Sequence, residues 1–145
     1  MEWTFTLEQL PAVAAAFWTA MAGKQTFTLE GPMGAGKTTL VKALCAAKGV
    51  KGTTASPSFG IINEYTYNNE QDQAQSIYHL DLYRLRDEAE AINAGVEDCL
   101  YQGAICFVEW PDIIANLLPP GTVHLQLQVL SDQKRMLRAG GASNK

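Results

Sequence analysis

Apolar and polar positions follow two distinct periods along this chain, and the switches between them lay out a mixed α/β domain. Trp3-Thr4-Phe5 reads as a short edge strand. Thr6 and Gln9 stand at capping-box spacing ahead of Leu10, Val13, Ala14, Phe17 and Met21, whose helical period predicts an amphipathic helix ended by Gly23. Pro11 fits only a first turn, so the helix is free to begin as late as Leu10. Thr26 to Glu30 is β-favouring, and Leu40, Val41, Leu44 and Cys45 share one face of a second helix closed by Gly49. Residues 59–67 and 77–83 are β-like runs around a hydrophilic stretch from Asn68 to Gln75, the pattern of a hairpin with a flexible loop. Ala89 to Leu100 suits one or two helical turns interrupted near Gly95, and Ala104 to Val108 is the continuous apolar run of a buried parallel strand. Asp112 to Leu118 predicts a short helix stopped by Pro119 and Pro120. Val123, Leu125, Leu127 and Val129 alternate as a half-buried strand, and Met136-Leu137 adds a last short one.

Between the second strand and the second helix lies Gly31-Pro32-Met33-Gly34-Ala35-Gly36-Lys37-Thr38, a complete G-x-x-x-x-G-K-[ST] loop followed by Thr39. A strand-to-helix junction of this kind aims unpaired backbone N–H groups and the positive end of the helix dipole at a polyphosphate, and its glycines let the backbone come close. Lys37 is expected to reach the β- and γ-phosphates, and Thr38 to place its hydroxyl on Mg²⁺. The expected architecture is a P-loop NTPase-like α/β domain over residues 1–139. It has a mainly parallel central sheet flanked by helices, with an antiparallel hairpin or edge strands, and a disordered tail over 140–145.

Such a site needs a second acid on a neighbouring strand. Glu109 ends the all-apolar run, where a Walker B acid emerges beside the phosphates, and is assigned to the metal; the other reading is a solvated strand end. Asp81 lies where alternation sends Leu80 and Leu82 to one face and His79, Asp81 and Tyr83 to the other; the pattern alone leaves a solvent-facing acid and a functional one level. Thr53, Thr54, Ser56 and Ser58 occupy the place of a γ-phosphate-sensing switch, or form a simple turn. Trp110 reads as a stacking residue for a base or a partner, or as a structural anchor. His79 and His124 lack metal-ligand spacing and read as exposed or satisfied structural histidines.

Composition narrows the partners. A net charge of −4 with a pI near 5.1 argues against a chain that grips nucleic acid alone, and the small cluster Lys42, Lys48 and Lys51 reads as a solvated helix end. Cys45, Cys99 and Cys106 are odd in number and widely spaced, as expected of reduced, buried thiols. No apolar stretch has the length of a membrane span and the first residues lack a basic n-region, so a cytoplasmic location is expected.

Four motifs in order resemble the bacterial TsaE (YjeE) family, P-loop ATPases of tRNA threonylcarbamoyladenosine biosynthesis. They are the loop from Gly31 to Thr39; Ser56-Pro57-Ser58-Phe59 with Tyr65 downstream; His79-Leu80-Asp81-Leu82-Tyr83-Arg84-Leu85; and Val108-Glu109-Trp110-Pro111. The resemblance spans roughly residues 6–138. It implies ATP or ADP held with Mg²⁺ by Gly31 to Thr39, with Trp110 beside the nucleotide and catalytic roles for Lys37, Glu109 and Asp81, the last positioning or activating the attacking water. It also implies slow hydrolysis alone and action with the TsaD–TsaB pair, which modifies the adenosine next to the anticodon and turns over repeatedly only with its ATPase. Transfer RNA is then met through the assembly. Two positions depart from the family: Pro32 stands where an acid is usual and Ser58 where Thr is usual, and Pro32 removes a charge and an N–H near the phosphates.

Three other readings share the loop. A small-molecule or nucleotide kinase needs an acceptor pocket and usually arginines on the transferring group, and this chain has only Arg84, Arg86, Arg135 and Arg138. A GTP-dependent switch lacks its Asn-Lys-x-Asp guanine reader. A nucleotide sensor without catalysis uses the same loop and is separated only by assay.

Overall fold

The computed structural model describes residues 1–51 and 61–141. Seven strands form one sheet: β1 (Glu2–Phe5), β2 (Thr26–Glu30), β3 (Ile62–Asn68), β4 (Ala74–Asp81), β5 (Ile105–Glu109), β6 (Val123–Val129) and β7 (Arg135–Gly141). Their order across the sheet is β1-β7-β6-β2-β5-β4-β3. The four middle strands, β6, β2, β5 and β4, run parallel, while the β3–β4 hairpin on one side and β7 and β1 on the other are antiparallel. The chain belongs to the P-loop NTPase-like α/β class, with a mainly parallel centre and antiparallel flanks.

Helices α1 (Leu10–Ala20) and α2 (Lys37–Ala47) cover one face. Of the apolar positions read from the sequence, α1 buries Leu10, Ala14 and Phe17 and leaves Val13 half-buried, Met21 is buried just past its end, and α2 buries Leu40, Val41, Leu44 and Cys45. These pack on Phe27 and Leu29 of β2, Phe107 of β5 and Leu125 and Leu127 of β6. The rings of Phe17 and Phe27, and of Phe27 and Phe107, lie 5.3 Å apart. Trp18 joins this cluster and donates its Nε1–H to the Leu44 carbonyl at 2.8 Å, tying α1 to α2. On the opposite face, α3 (Glu88–Asn93) and α4 (Val96–Leu100) meet at Gly95 and bury Ala91, Val96 and Leu100 against Leu80, Cys106 and Val108. The β5 run is buried at all five residues because helices cover both of its faces.

Some local expectations need correction. The short helix expected over 112–118 is a kinked 3₁₀ segment, Pro111–Leu117, with Ile114 outside helical geometry; Pro111 starts it and Pro119 and Pro120 leave no room to lengthen it. The β3–β4 connection is a tight turn, in which the Asn69 side chain accepts from the backbone N–H groups of Gln71 and Gln73, both at 2.9 Å. The last strand extends beyond 139: Gly140 and Gly141 pair with His124 and Val123. Residues 142–145, and the segment 52–60 with Thr53, Thr54, Ser56, Ser58 and Phe59, lie outside the described residues.

Candidate functional site

The parallel strands β2, β4 and β5 end at one edge of the sheet, with Leu29 and Asp81 both in register with Glu109. From there the chain leaves β2 through Gly31 and turns into α2. Gly31 is required by close approach, since a Cβ there would lie 2.7 Å from the Leu127 carbonyl oxygen of β6. Gly36, the residue before α2, has φ +100°, a conformation that L side chains rarely adopt. Within the loop Ala35 N–H donates to the Pro32 carbonyl at 3.1 Å, and the first helical bond runs from Leu40 N–H to the Gly36 carbonyl. The N–H groups of Lys37, Thr38 and Thr39 therefore belong to the open first turn of a helix, ready for an anion. Arg135 braces the loop from outside: its Nε–H donates to the Ala35 carbonyl at 2.9 Å and its Nη1–H to the Ser131 carbonyl at 2.8 Å.

Lys37 is buried for a lysine, at 8% exposed. Its Nζ donates to the Gly31 carbonyl at 2.7 Å, stands 4.0 Å from Oε1 of Glu109 and lies 4.7 Å from the centre of the Trp110 ring. Glu109 is also buried, and its Oε2 pairs with Nε2 of His79 at 2.5 Å. Trp110 follows with φ 58°, ψ 57°, a left-handed conformation costly for a bulky residue, and its half-exposed ring leans on Tyr83 with 4.9 Å between centroids. This strained turn carries the chain sharply out of β5 and sets the indole over the lysine. Asp81 is exposed at the end of β4, and its Oδ1 accepts from the Tyr83 N–H at 3.2 Å.

Met33, Gly34, Gly36, Lys37, Thr38, Thr39, Asp81, Tyr83, Glu109 and Trp110 line one cavity of about 370 Å³. A second, of about 510 Å³, opens on the other side of the loop between Leu7, Leu10, Leu40, Leu127 and the β6–β7 turn residues Asp132 and Gln133; Gly36 and Thr39 line both. Thr38, Asp81 and Glu109, which line the first cavity beside Lys37, offer a hydroxyl and carboxylate oxygens, the ligand type that Mg²⁺ prefers. Among the described residues no group of three or more His, Cys, Asp or Glu could hold a metal without help. That combination fits an ion carried in by phosphates and completed by one or two protein ligands and water, and does not fit a dedicated metal cage.

The structure thus gathers Lys37, Thr38, Thr39, Asp81, Glu109 and Trp110 at one place. Gly31 joins through its carbonyl on Lys37, Ala35 lines the second cavity, and Pro32 serves as the acceptor of the loop's internal turn. His79 was read from sequence as exposed or satisfied structurally; it is buried at 4% exposure, and its satisfying partner is a residue of the site. The signal was present in the alternation that puts His79 and Asp81 on one face. Arg135 carried no local signal for its bond to the loop, which spans a hundred residues. His124 pairs with the Thr28 hydroxyl at 2.6 Å, and Lys48 sits over Trp18, both apart from the cavity. Cys45, Cys99 and Cys106 are free and buried as expected. No helix among the described residues is long and apolar enough to cross a membrane.

The sequence model of the family described as "Threonylcarbamoyl adenosine biosynthesis protein TsaE" matches residues 4–137. The chain is 30% identical over 146 residues to the tRNA threonylcarbamoyladenosine biosynthesis protein TsaE of Bacillus subtilis, an alignment covering 100% of this chain and 88% of that protein. It is 31% identical over 125 residues to the protein of the same name from Treponema pallidum, covering 83% of this chain and 88% of the relative. Among solved structures, Bacillus subtilis YdiB superposes with a TM-score of 0.72 at 28% identity, over 99% of this chain and 86% of that one. With the family model matched over residues 4–137 and a relative 30% identical along the whole chain, the chain belongs to the TsaE family.

Proposed function

We propose that this protein binds ATP with Mg²⁺ and hydrolyses it to ADP and phosphate in support of tRNA threonylcarbamoyladenosine formation, acting with TsaD and TsaB. The observation that carries the hydrolytic reading is the shared cavity, where the P-loop lysine, the α2 N-terminus and two carboxylates from adjacent strands converge. The second cavity, which shares Gly36 and Thr39 with it, is of a size to take the nucleoside end of the nucleotide. The names of the relatives support the pathway, and the acidic pI favours tRNA contact through the assembly.

Lys37 neutralises the β- and γ-phosphates by exchanging its Gly31 carbonyl for phosphate oxygens. Thr38 and Glu109 would hold Mg²⁺, which would neutralise negative charge on the phosphates. Asp81, exposed at the cavity mouth, orients the attacking water and accepts hydrogen bonds from it. A kinase reading is disfavoured because no arginine is among the described residues lining the phosphate cavity. Arg86 and Arg138 pair instead with Glu90 and Glu2, while Arg135 holds the loop.

The test is Mg²⁺-dependent release of phosphate from ATP by the purified chain, with and without TsaD and TsaB, alongside Lys37→Ala and Glu109→Ala. Hydrolysis that rises with the partners and vanishes in both variants supports the proposal. Nucleotide binding without hydrolysis in any combination would leave a sensor, and indifference to the partners would remove the pathway role.

A further inference from the structure

The geometry points to His79 as the positioning residue that holds Glu109 in its working orientation, fixing one carboxylate oxygen so that the other faces the phosphate cavity. This rests on the ATP-hydrolysing reading of the site and names a residue that the P-loop motif does not contain.

Three observations carry it. First, Glu109 Oε2 and His79 Nε2 lie 2.5 Å apart, a hydrogen bond that ties this one carboxylate oxygen to the imidazole. Second, His79 lies opposite Phe107 in the parallel register, two residues short of the Asp81–Glu109 level. The Glu109 side chain is thus drawn back along the strand toward the core, and Oε1 is left on the side of Lys37. Third, both side chains of the pair are nearly sealed, at 5% and 6% exposed, so bulk water offers Oε2 little replacement for the imidazole N–H. A carboxylate held at one oxygen cannot rotate freely, and its remaining oxygen meets an incoming metal–phosphate group with little reorganisation. Groups that hold a metal ligand in this way commonly change metal affinity or activity by about 10- to 100-fold when removed.

A histidine that merely satisfied a buried acid would give a different pattern from one that aims it. The experiment compares His79→Leu, His79→Gln, Glu109→Gln and the His79→Leu/Glu109→Gln double variant, with melting temperatures checked first. Two readouts are taken: kcat and KM for MgATP, and Mn²⁺ affinity in the presence of a non-hydrolysable ATP analogue, followed by the free Mn²⁺ resonance. The expected result for His79→Leu is a fall in kcat of about 10- to 100-fold with KM for ATP within about twofold, and Mn²⁺ binding weakened about tenfold. His79→Gln, which keeps an N–H donor, recovers part of both. In the Glu109→Gln background His79→Leu adds little, because the two residues act as one unit. Unchanged Mn²⁺ affinity and kcat in His79→Leu, or full additivity of the two substitutions, would overturn the assignment. So would a Gln variant no better than Leu. If His79→Leu is too unstable to assay, the comparison of His79→Gln with wild type decides by the same two readouts. Failure of the wild type to bind or hydrolyse ATP would strike the hydrolytic reading itself, and is seen separately in the first measurement.

Discussion

Replacing Gly31 by alanine isolates a single steric demand of the loop. The backbone of Gly31 lies outside the left-handed region, so the substitution carries no conformational penalty of its own; the whole effect comes from the methyl group. That carbon would sit 2.7 Å from the Leu127 carbonyl oxygen and 3.3 Å from the Leu127 Cβ. Leu127 cannot give way easily, since it is 2% exposed and its strand pairs with β2 on one side and, at Leu127 itself, with Leu137 of β7 on the other. Relief therefore falls on the loop, at a cost of about 2 kcal/mol, in the range of overpacked core positions. For a domain of this size that lowers the melting temperature by about 5–10 °C. The Gly31 carbonyl is also where Lys37 rests, so moving it misplaces the lysine, and nucleotide affinity is expected to fall about tenfold. Differential scanning fluorimetry and titration with a fluorescent ATP analogue measure the two effects. A Gly31→Ala protein that melts within 1 °C of wild type and binds nucleotide equally well would refute the reasoning, because the contact would then be one the loop escapes freely.

Asp87 caps α3 through its Oδ1 on the Glu90 N–H at 3.0 Å, remote from the cavity; Asp87→Ala should cost about 1 kcal/mol by denaturant melting and leave nucleotide binding unchanged. Phe107→Ala, at the centre of the aromatic cluster and fully buried, should cost about 3–5 kcal/mol in the same assay. Burial pushes the thiols of Cys45 and Cys106 up to about 12 and that of Cys99 to about 11, from an ordinary value of 9.0, so a thiol reagent at pH 8 should find no reactive group until denaturant is added. The same shifts set a sign for stability. The folded chain holds these protons above pH 9 where the unfolded chain releases them, so their contribution is complete below pH 9 and is lost as pH rises toward 11–12, which a pH series of melting temperatures checks.

The G-x-x-x-x-G-K-[ST] loop was legible in the sequence because its geometry demands residue types at fixed spacing: Gly31 where β6 presses close, Gly36 at positive φ, Lys37 at the helix start. Helix faces and the buried β5 run were legible because burial imposes a period. What escaped depends on distant pairing. Alternation put His79 on the face of Asp81, but its meaning comes from a partner thirty residues away on the neighbouring strand. The 111–117 segment looked helical by period, but the left-handed turn at Trp110 and the flanking prolines shorten it to 3₁₀. Gly140 and Gly141 looked like a loose tail by composition; strand pairing uses backbone groups alone and holds them opposite β6.

The placement of β7 between β1 and β6 also orders events during synthesis. The opening strand, whose Glu2 faces Arg138 across the β1–β7 pairing, has no neighbour in the sheet until the strand from Arg135 to Gly141 has left the ribosome. That same late strand begins with the arginine that braces the Ala35 carbonyl. A nascent chain can assemble β2, α2, β4 and β5 much earlier, yet the loop from Gly31 to Thr38 stays unbraced until translation has passed Arg135, so it reaches its full set of contacts only once the strand from Arg135 to Gly141 is inserted.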